Sequence, residues 1–214
     1  MQDWVEVMGL VLKAEPIGEY DKRVVILTRE RGKISAFARG ARRQNSKFLA
    51  AASPFVFGTF RLLEGKNSWY VQEIAVSSYF EPLRTDFEGA CYGMYFLELC
   101  DFCTRENNDE KEVLKLLYQS LRALTCPSLD RKLVRAVFEI KLVVVNGEFP
   151  GIPTQGYEND ALYALRFIET TPVERLYTFT VSDSVLAQLA KAASEYRQNA
   201  LPGRFKSLEV LESL

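Results

Sequence analysis

The sequence predicts an α+β protein: a five-stranded OB-fold β-barrel over residues 1–80, then a mainly α-helical domain over 81–214. Three observations lead there. Short apolar runs separated by turn residues fill roughly the first 75 positions. A glycine, Gly9, interrupts the first of these runs, as small closed barrels require where a strand bends. Near residue 84 the apolar period changes from two to that of a helix. The chain has 214 residues, 48% apolar and 26% charged, enough for a sizeable core and far from the composition of a disordered chain.

The strands follow in order. Val5, Val7 and Val11 alternate around Gly9, and Pro16-Ile17-Gly18 predicts a turn. Arg23 to Thr28 is a second apolar run. Arg31-Gly32-Lys33 is a hairpin signal, and Ile34 to Ala38 is the third strand. After a polar basic loop from Gly40 to Lys47 come Phe55–Phe60 and Trp69–Val76, joined by a turn at Glu64-Gly65-Lys66-Asn67.

The helices read as clearly. Phe87, Cys91, Met94 and Leu97 open one that is apolar round most of its circumference and is expected to be central. Asn108 is placed to cap a second, with Val113, Leu117, Leu121 and Leu124 on one face before Pro127. Ser128 is placed to cap a third through Leu133, Val137, Ile140 and Val144, stopped by Asn146-Gly147. A short helix is expected at 159–170, a strand or extended segment at 176–181, and a long helix capped by Ser182 or Asp183.

Composition restricts the chemistry. With no histidine, the commonest general base, Ser-His and Cys-His pairs, and His metal ligands are all absent. No GxxxxGK[ST], GxGxxG or GxSxG pattern occurs. Glu106, Asp109 and Glu110 could be imagined around magnesium, but they fall at a predicted helix start, where the helix dipole favours acids. Cys100 and Cys103 lie within an apolar helical pattern, so Cys91, Cys100, Cys103 and Cys126 read as buried free thiols. The expectation is a protein that is not an enzyme, needs no cofactor and binds no metal. No apolar run is long enough to cross a bilayer, and Met1-Gln2-Asp3-Trp4 lacks a signal-peptide pattern. An unexported, soluble protein is expected.

Charge points to a ligand. The overall net charge is −1, but residues 1–80 hold 12 Lys/Arg against 8 acids, and residues 81–214 hold 15 against 20. Within 22–47, Lys22, Arg23, Arg29, Arg31, Lys33, Arg39, Arg42, Arg43 and Lys47 meet one acid, Glu30. That is an electrostatic footprint for a polyanion. Phe37, Phe48, Trp69 and Tyr70 accompany it, and a cationic groove with flat side chains suits nucleic acid, held through its phosphates. Each aromatic could equally fill the barrel. The DNA-binding candidates are Lys33, Arg39, Arg42, Arg43, Lys47 and Arg23.

The order of motifs resembles one family. Gly9-Leu10-Val11-Leu12, Gly18-Glu19-Tyr20-Asp21, Leu27-Thr28, Gly32-Lys33-Ile34 and Ala38-Arg39-Gly40-Ala41-Arg42-Arg43 are similar to the N-terminal signature of RecO, a bacterial recombination mediator of the RecFOR pathway. Arg135 to Glu139, running on to Asn146-Gly147-Glu148-Phe149-Pro150, is similar to its second block, and Phe205 to Leu208 to its C-terminus. The resemblance implies a cytoplasmic, nucleoid-associated DNA repair protein without enzymatic activity. Such proteins bind single- and double-stranded DNA, anneal complementary strands, bind the C-terminal tail of SSB, and help RecR load RecA on SSB-coated DNA. Many members carry a four-cysteine zinc site after the second block. Here neither cysteine nor histidine follows Gly147, so a shortened loop without metal is expected.

For the SSB tail, an acidic chain end, a pocket with cations is required. If the second and third helices pair across Thr125-Cys126-Pro127, then Arg122, Lys132 and Arg135 gather near Leu121 and Leu124, with Arg135 as carboxylate partner. Rival readings are an OB-fold RNA-binding or translation-associated protein, a carboxylate-and-metal nuclease, and an adaptor without nucleic-acid affinity.

Overall fold

A computed structural model describes residues 4–66 and 68–214. Met1, Gln2 and Asp3 of the N-terminal segment, and Asn67 of the turn read at 64–67, lie outside the described residues. Five strands, β1 (Trp4–Ile17), β2 (Asp21–Thr28), β3 (Gly32–Ala38), β4 (Phe57–Glu64) and β5 (Trp69–Ser78), close in the order β1-β2-β3-β5-β4. This is the OB-fold barrel.

β1 runs further than its sequence pattern suggests, through Pro16 and Ile17, and the turn falls after it at Gly18 with φ +55°. The length follows from its double duty. Residues Trp4–Leu10 pair with β4, and Gly9–Ile17 pair with β2, with a register shift between Val11 and Lys13. At the crossover Gly9 stands opposite Gly58. A Cβ on Gly9 would lie 2.6 Å from the Leu27 carbonyl oxygen, and one on Gly58 would lie 2.3 Å from that of Ala75. Two bare backbones let the strand bend there. Inside the barrel Val11, Ile26, Ile34, Phe60, Leu62 and Trp69 form the core.

Seven helices are described: α1 (Glu81–Thr85), α2 (Phe87–Cys103), α3 (Lys111–Leu124), α4 (Arg131–Val145), α5 (Asn159–Thr170), α6 (Asp183–Ala200) and α7 (Lys206–Glu212). A single 3₁₀ turn lies at Val173–Arg175. Two compact units result, Met1–Arg84 with Leu97–Leu114, and Thr85–Phe96 with Lys115–Leu214. Thus α2 gives its first half to one unit and its second half to the other. Phe87 (70% exposed) and Met94 (40%) face outward and are not the core positions their spacing suggests.

In the second unit α4 is the central element, packed most extensively on α6, with Phe138 stacked on Phe96 at 4.0 Å. Its cap is Asp130 rather than Ser128, because the Asp130 carboxylate accepts from the Lys132 amide at 2.7 Å. Likewise Asp109, not Asn108, accepts from the Lys111 amide at the start of α3. Ser182 caps α6 through the Val185 amide. Residues 176–181 form no strand. All five strands belong to the barrel, so this segment is held by side chains: Phe179 packs edge-on to Phe167 at 5.0 Å, and the Tyr177 hydroxyl meets Ser120. Lys141, buried in α4, donates to the carbonyls of Ile168, Glu169 and Thr171 at 2.8–3.0 Å, closing the C-terminus of α5 as a cation at a helix end does.

Candidate nucleic-acid interface

Strand alternation decides what the barrel shows to solvent. In β3, Ile34, Ala36 and Ala38 are buried, which turns Lys33, Ser35 and Phe37 outward. In β5, Trp69 and Val71 point in, and Tyr70 and Gln72 point out. The register then aligns a row: Arg23 of β2 stands opposite Phe37 of β3, and Phe37 opposite Tyr70 of β5. The Phe37 and Tyr70 rings are 5.9 Å apart.

Three expected cations belong to this face. The Arg39 guanidinium lies 4.5 Å over the Tyr70 ring. Arg23 Nε donates to Ser35 Oγ at 2.7 Å. Lys47 Nζ donates to the Gln72 carbonyl at 2.8 Å. Arg39, Lys47, Lys66, Leu63, Glu64 and Tyr70 help line a groove of about 640 Å³. Hydrogen bonds from Ser68 and Arg39 hold the Tyr70 phenol below its usual pKa.

Arg42 and Arg43 sit beside the β1–β2 turn. Arg42 Nη1 donates to the carbonyls of Gly18 and Glu19, both at 3.1 Å, and Arg43 lies 5.0 Å over exposed Tyr20. Lys22 is drawn under the loop after β3, donating to the carbonyls of Leu49 and Ala52. Burial, then repulsion from Arg42 and Arg84, lowers its pKa. Lys33 stands apart: its ammonium is bonded to the carbonyl and carboxylate of Asp101, four residues along β3 from Phe37, about 13 Å away.

Of the candidate aromatics, Phe48 and Trp69 are core residues, at 7% and 8% exposure. Trp69 Nε1 donates to Glu106, and Arg31 covers its ring at 5.4 Å. Phe37 and Tyr70 are the outward pair. Tyr20, absent from the sequence-derived candidates, joins them; its signal was its place in a turn beside the basic loop.

The acidic cluster is dispersed among separate donors. Glu106 takes the Trp69 indole, Asp109 pairs with Lys111, and Glu110 accepts from the Arg105 amide. Among the described residues no group of acids or cysteines is arranged to hold a metal. All four cysteines are free, but only Cys91 and Cys100 are buried; Cys103 and Cys126 are partly exposed. Burial raises the Cys100 thiol pKa, whereas hydrogen bonds with Ser128 lower that of Cys126. The stretch after Gly147 contains neither cysteine nor histidine.

In the second unit, Arg122 at the end of α3 and Lys132 at the start of α4 are exposed. Arg135 is committed within its own unit. Its Nε meets Glu139 at 2.9 Å, its Nη2 meets Glu212 at 3.3 Å, and its guanidinium lies 5.3 Å from the Tyr95 ring. Leu121 and Leu124 are core residues at 0% and 2% exposure, so they present no apolar surface beside these cations. The close helix pairs are α4–α6, α5–α6 and α4–α5.

The fold and this face define an OB-fold barrel protein, extended by a helical unit and bearing cations and rings on the β2–β3–β5 side. Residues 1–80 match the family model for the N-terminal part of recombination protein O, and residues 84–151 match that for its C-terminal part. The chain belongs to the RecO family. The DNA repair protein RecO of Clostridium perfringens (strain 13 / Type A) is 27% identical over 239 aligned positions, covering 97% of each chain. That of Acetivibrio thermocellus is 26% identical, covering 99% of this chain and 98% of its own. That of Bacillus pumilus is 34% identical over 66% of this chain and 55% of its own. No described helix is long and apolar enough to cross a membrane.

Proposed function

We propose that this protein is a non-enzymatic mediator of DNA repair and recombination in the bacterial cytoplasm. Its barrel binds single- and double-stranded DNA, it anneals complementary strands, and with RecR it helps load RecA on SSB-coated DNA. The observation that carries this reading is the outward row Arg23–Phe37–Tyr70 with Arg39 and Lys47 beside it. Such a face suits a phosphate backbone together with exposed bases. Arg42 and Arg43 extend the cationic face to the β1–β2 turn, where OB-folds also hold oligonucleotides.

Capture of the SSB tail is assigned to the helical unit through Arg122 and Lys132. Arg135 supports them only if it exchanges Glu139 or Glu212 for the tail carboxylate. The deciding experiment is annealing of SSB-coated complementary oligonucleotides, with and without the protein, with matched RNA strands in parallel. Faster annealing of DNA supports the reading. No acceleration, or a preference for RNA, overturns it.

A further inference from the structure

Five rings on the barrel unit lie beneath cations, those of Tyr20, Phe48, Trp69, Tyr70 and Tyr79, and they differ in what a ligand could reach. Phe48 and Trp69 are core residues, and Tyr20 stands on a turn without a second ring. Tyr70 alone combines partial exposure, a cross-strand aromatic neighbour and a place in the groove. Its ring is also seated against backbone: a Cβ on Gly65 would lie 2.7 Å from Tyr70 Cε2. The same register continues from Tyr70 to Leu63 of β4 and on to Trp4 of β1, whose side chain is exposed. The resulting track crosses four strands, about 14 Å.

The guanidinium over Tyr70 is flat, and at 4.5 Å from the ring centroid it occupies the place a stacked base would take. Among the described residues no carboxylate pairs with Arg39, so it is Tyr70, through its ring and its phenol oxygen, that holds it. Glu64 is the one acid among the groove's described lining residues, against Arg39, Lys47 and Lys66. The groove is therefore complementary to an anionic strand.

We propose that Tyr70, with Phe37 beside it, is the stacking platform for unpaired bases, and that Arg39 covers it until DNA arrives. On binding, a base replaces the guanidinium on the ring, and the guanidinium turns to a phosphate. A duplex, whose bases are already stacked and paired, gains the phosphate contacts but not the platform. The platform therefore favours single strands. This rests on the barrel-face reading of DNA binding.

The test uses the full chain with an oligothymidylate of about 15 nucleotides carrying 2-aminopurine, and a matched duplex. Wild type should quench the 2-aminopurine on binding. Tyr70→Leu should abolish the quench and weaken single-strand binding about 5- to 150-fold, with duplex affinity changed less than about twofold. Tyr70→Phe keeps the ring and should keep the quench, and Phe37→Leu should lose part of it. Arg39→Ala should keep the quench while its salt slope falls by about 0.7. An undiminished quench in Tyr70→Leu, or equal loss for strand and duplex, overturns the platform and leaves barrel-face DNA binding intact. Binding of neither DNA by wild type overturns both.

Discussion

Lys33 and Asp101, 68 positions apart in the chain, form an ion pair of 3.0 Å on the barrel unit, in which the lysine also donates to the aspartate's own carbonyl. The one cation of β3 is thereby tied up. Neutralising Arg39 and Lys33 together should reduce the salt slope of single-strand binding by about 0.7, one phosphate, rather than by the two that their sequence positions suggest. Lys33→Ala alone should leave the slope unchanged. Titrations from 50 to 200 mM salt, a range over which such slopes are resolved, check both.

Tyr95 donates to the buried Glu139 carboxylate at 2.7 Å, and Arg135 reaches the same oxygen. Glu139→Ala should lower unfolding free energy by about 3 kcal/mol, since it strands a part-buried guanidinium and a buried phenol. Glu139→Gln keeps an acceptor and should cost less. Urea unfolding of both variants measures the difference.

Burial, then the Glu139 charge, raises the Tyr95 pKa well above the ordinary phenol. In the unfolded chain the phenol ionises above about pH 10, while in the fold it stays protonated. The stabilising contribution is therefore full below about pH 10 and is lost as pH climbs beyond it. Tyr95→Phe should show a shallower alkaline decline than wild type in unfolding midpoints.

Gly32 has φ +64°, and a Cβ there would lie 2.3 Å from the Arg105 carbonyl oxygen and 2.8 Å from that of Asn108. Gly32→Ala should destabilise by about 2–4 kcal/mol, combining the left-handed penalty with a backbone clash. Gly18→Ala, at φ +55° with open space around it, should cost only about 1 kcal/mol. Equal losses would remove the close approach as the cause.

Treatment with a chelator should leave the unfolding midpoint unmoved. Cys100 is buried with Cys103 Sγ turned to its carbonyl, and the stretch after Gly147 has neither cysteine nor histidine. A fall in the midpoint, or one zinc per chain by elemental analysis, would reverse this.

Local chemistry made much of the fold readable in advance. The alternation in β3, the turn at Gly32, the helix at 159–170 and the Ser182 cap depend on neighbours within a few residues. Trp69 and Tyr70 were harder. Adjacent strand residues must face opposite ways, yet which ring faces in depends on pairing with Ala36 and Phe37, more than 30 positions earlier. Lys33 looked free because Asp101 lies far off in sequence, whereas Arg135 is held both by Glu139, one helical turn on, and by the distant Glu212. Leu121 and Leu124 looked available to a pocket because helical spacing marks an apolar face without saying how fully it is covered.

The barrel's closure has one further consequence. Among the described residues β3 and β5 meet only through Ala36↔Trp69 and Phe37↔Tyr70, in parallel, while every other junction is a long antiparallel ladder. This is the seam at which the cylinder parts first, and amide protons on either side of it should exchange fastest among the strands. The outward rings sit on that seam. A ligand bridging them acts as a stitch, so binding slows exchange in β3 and β5 and raises the thermal midpoint of the barrel by mass action.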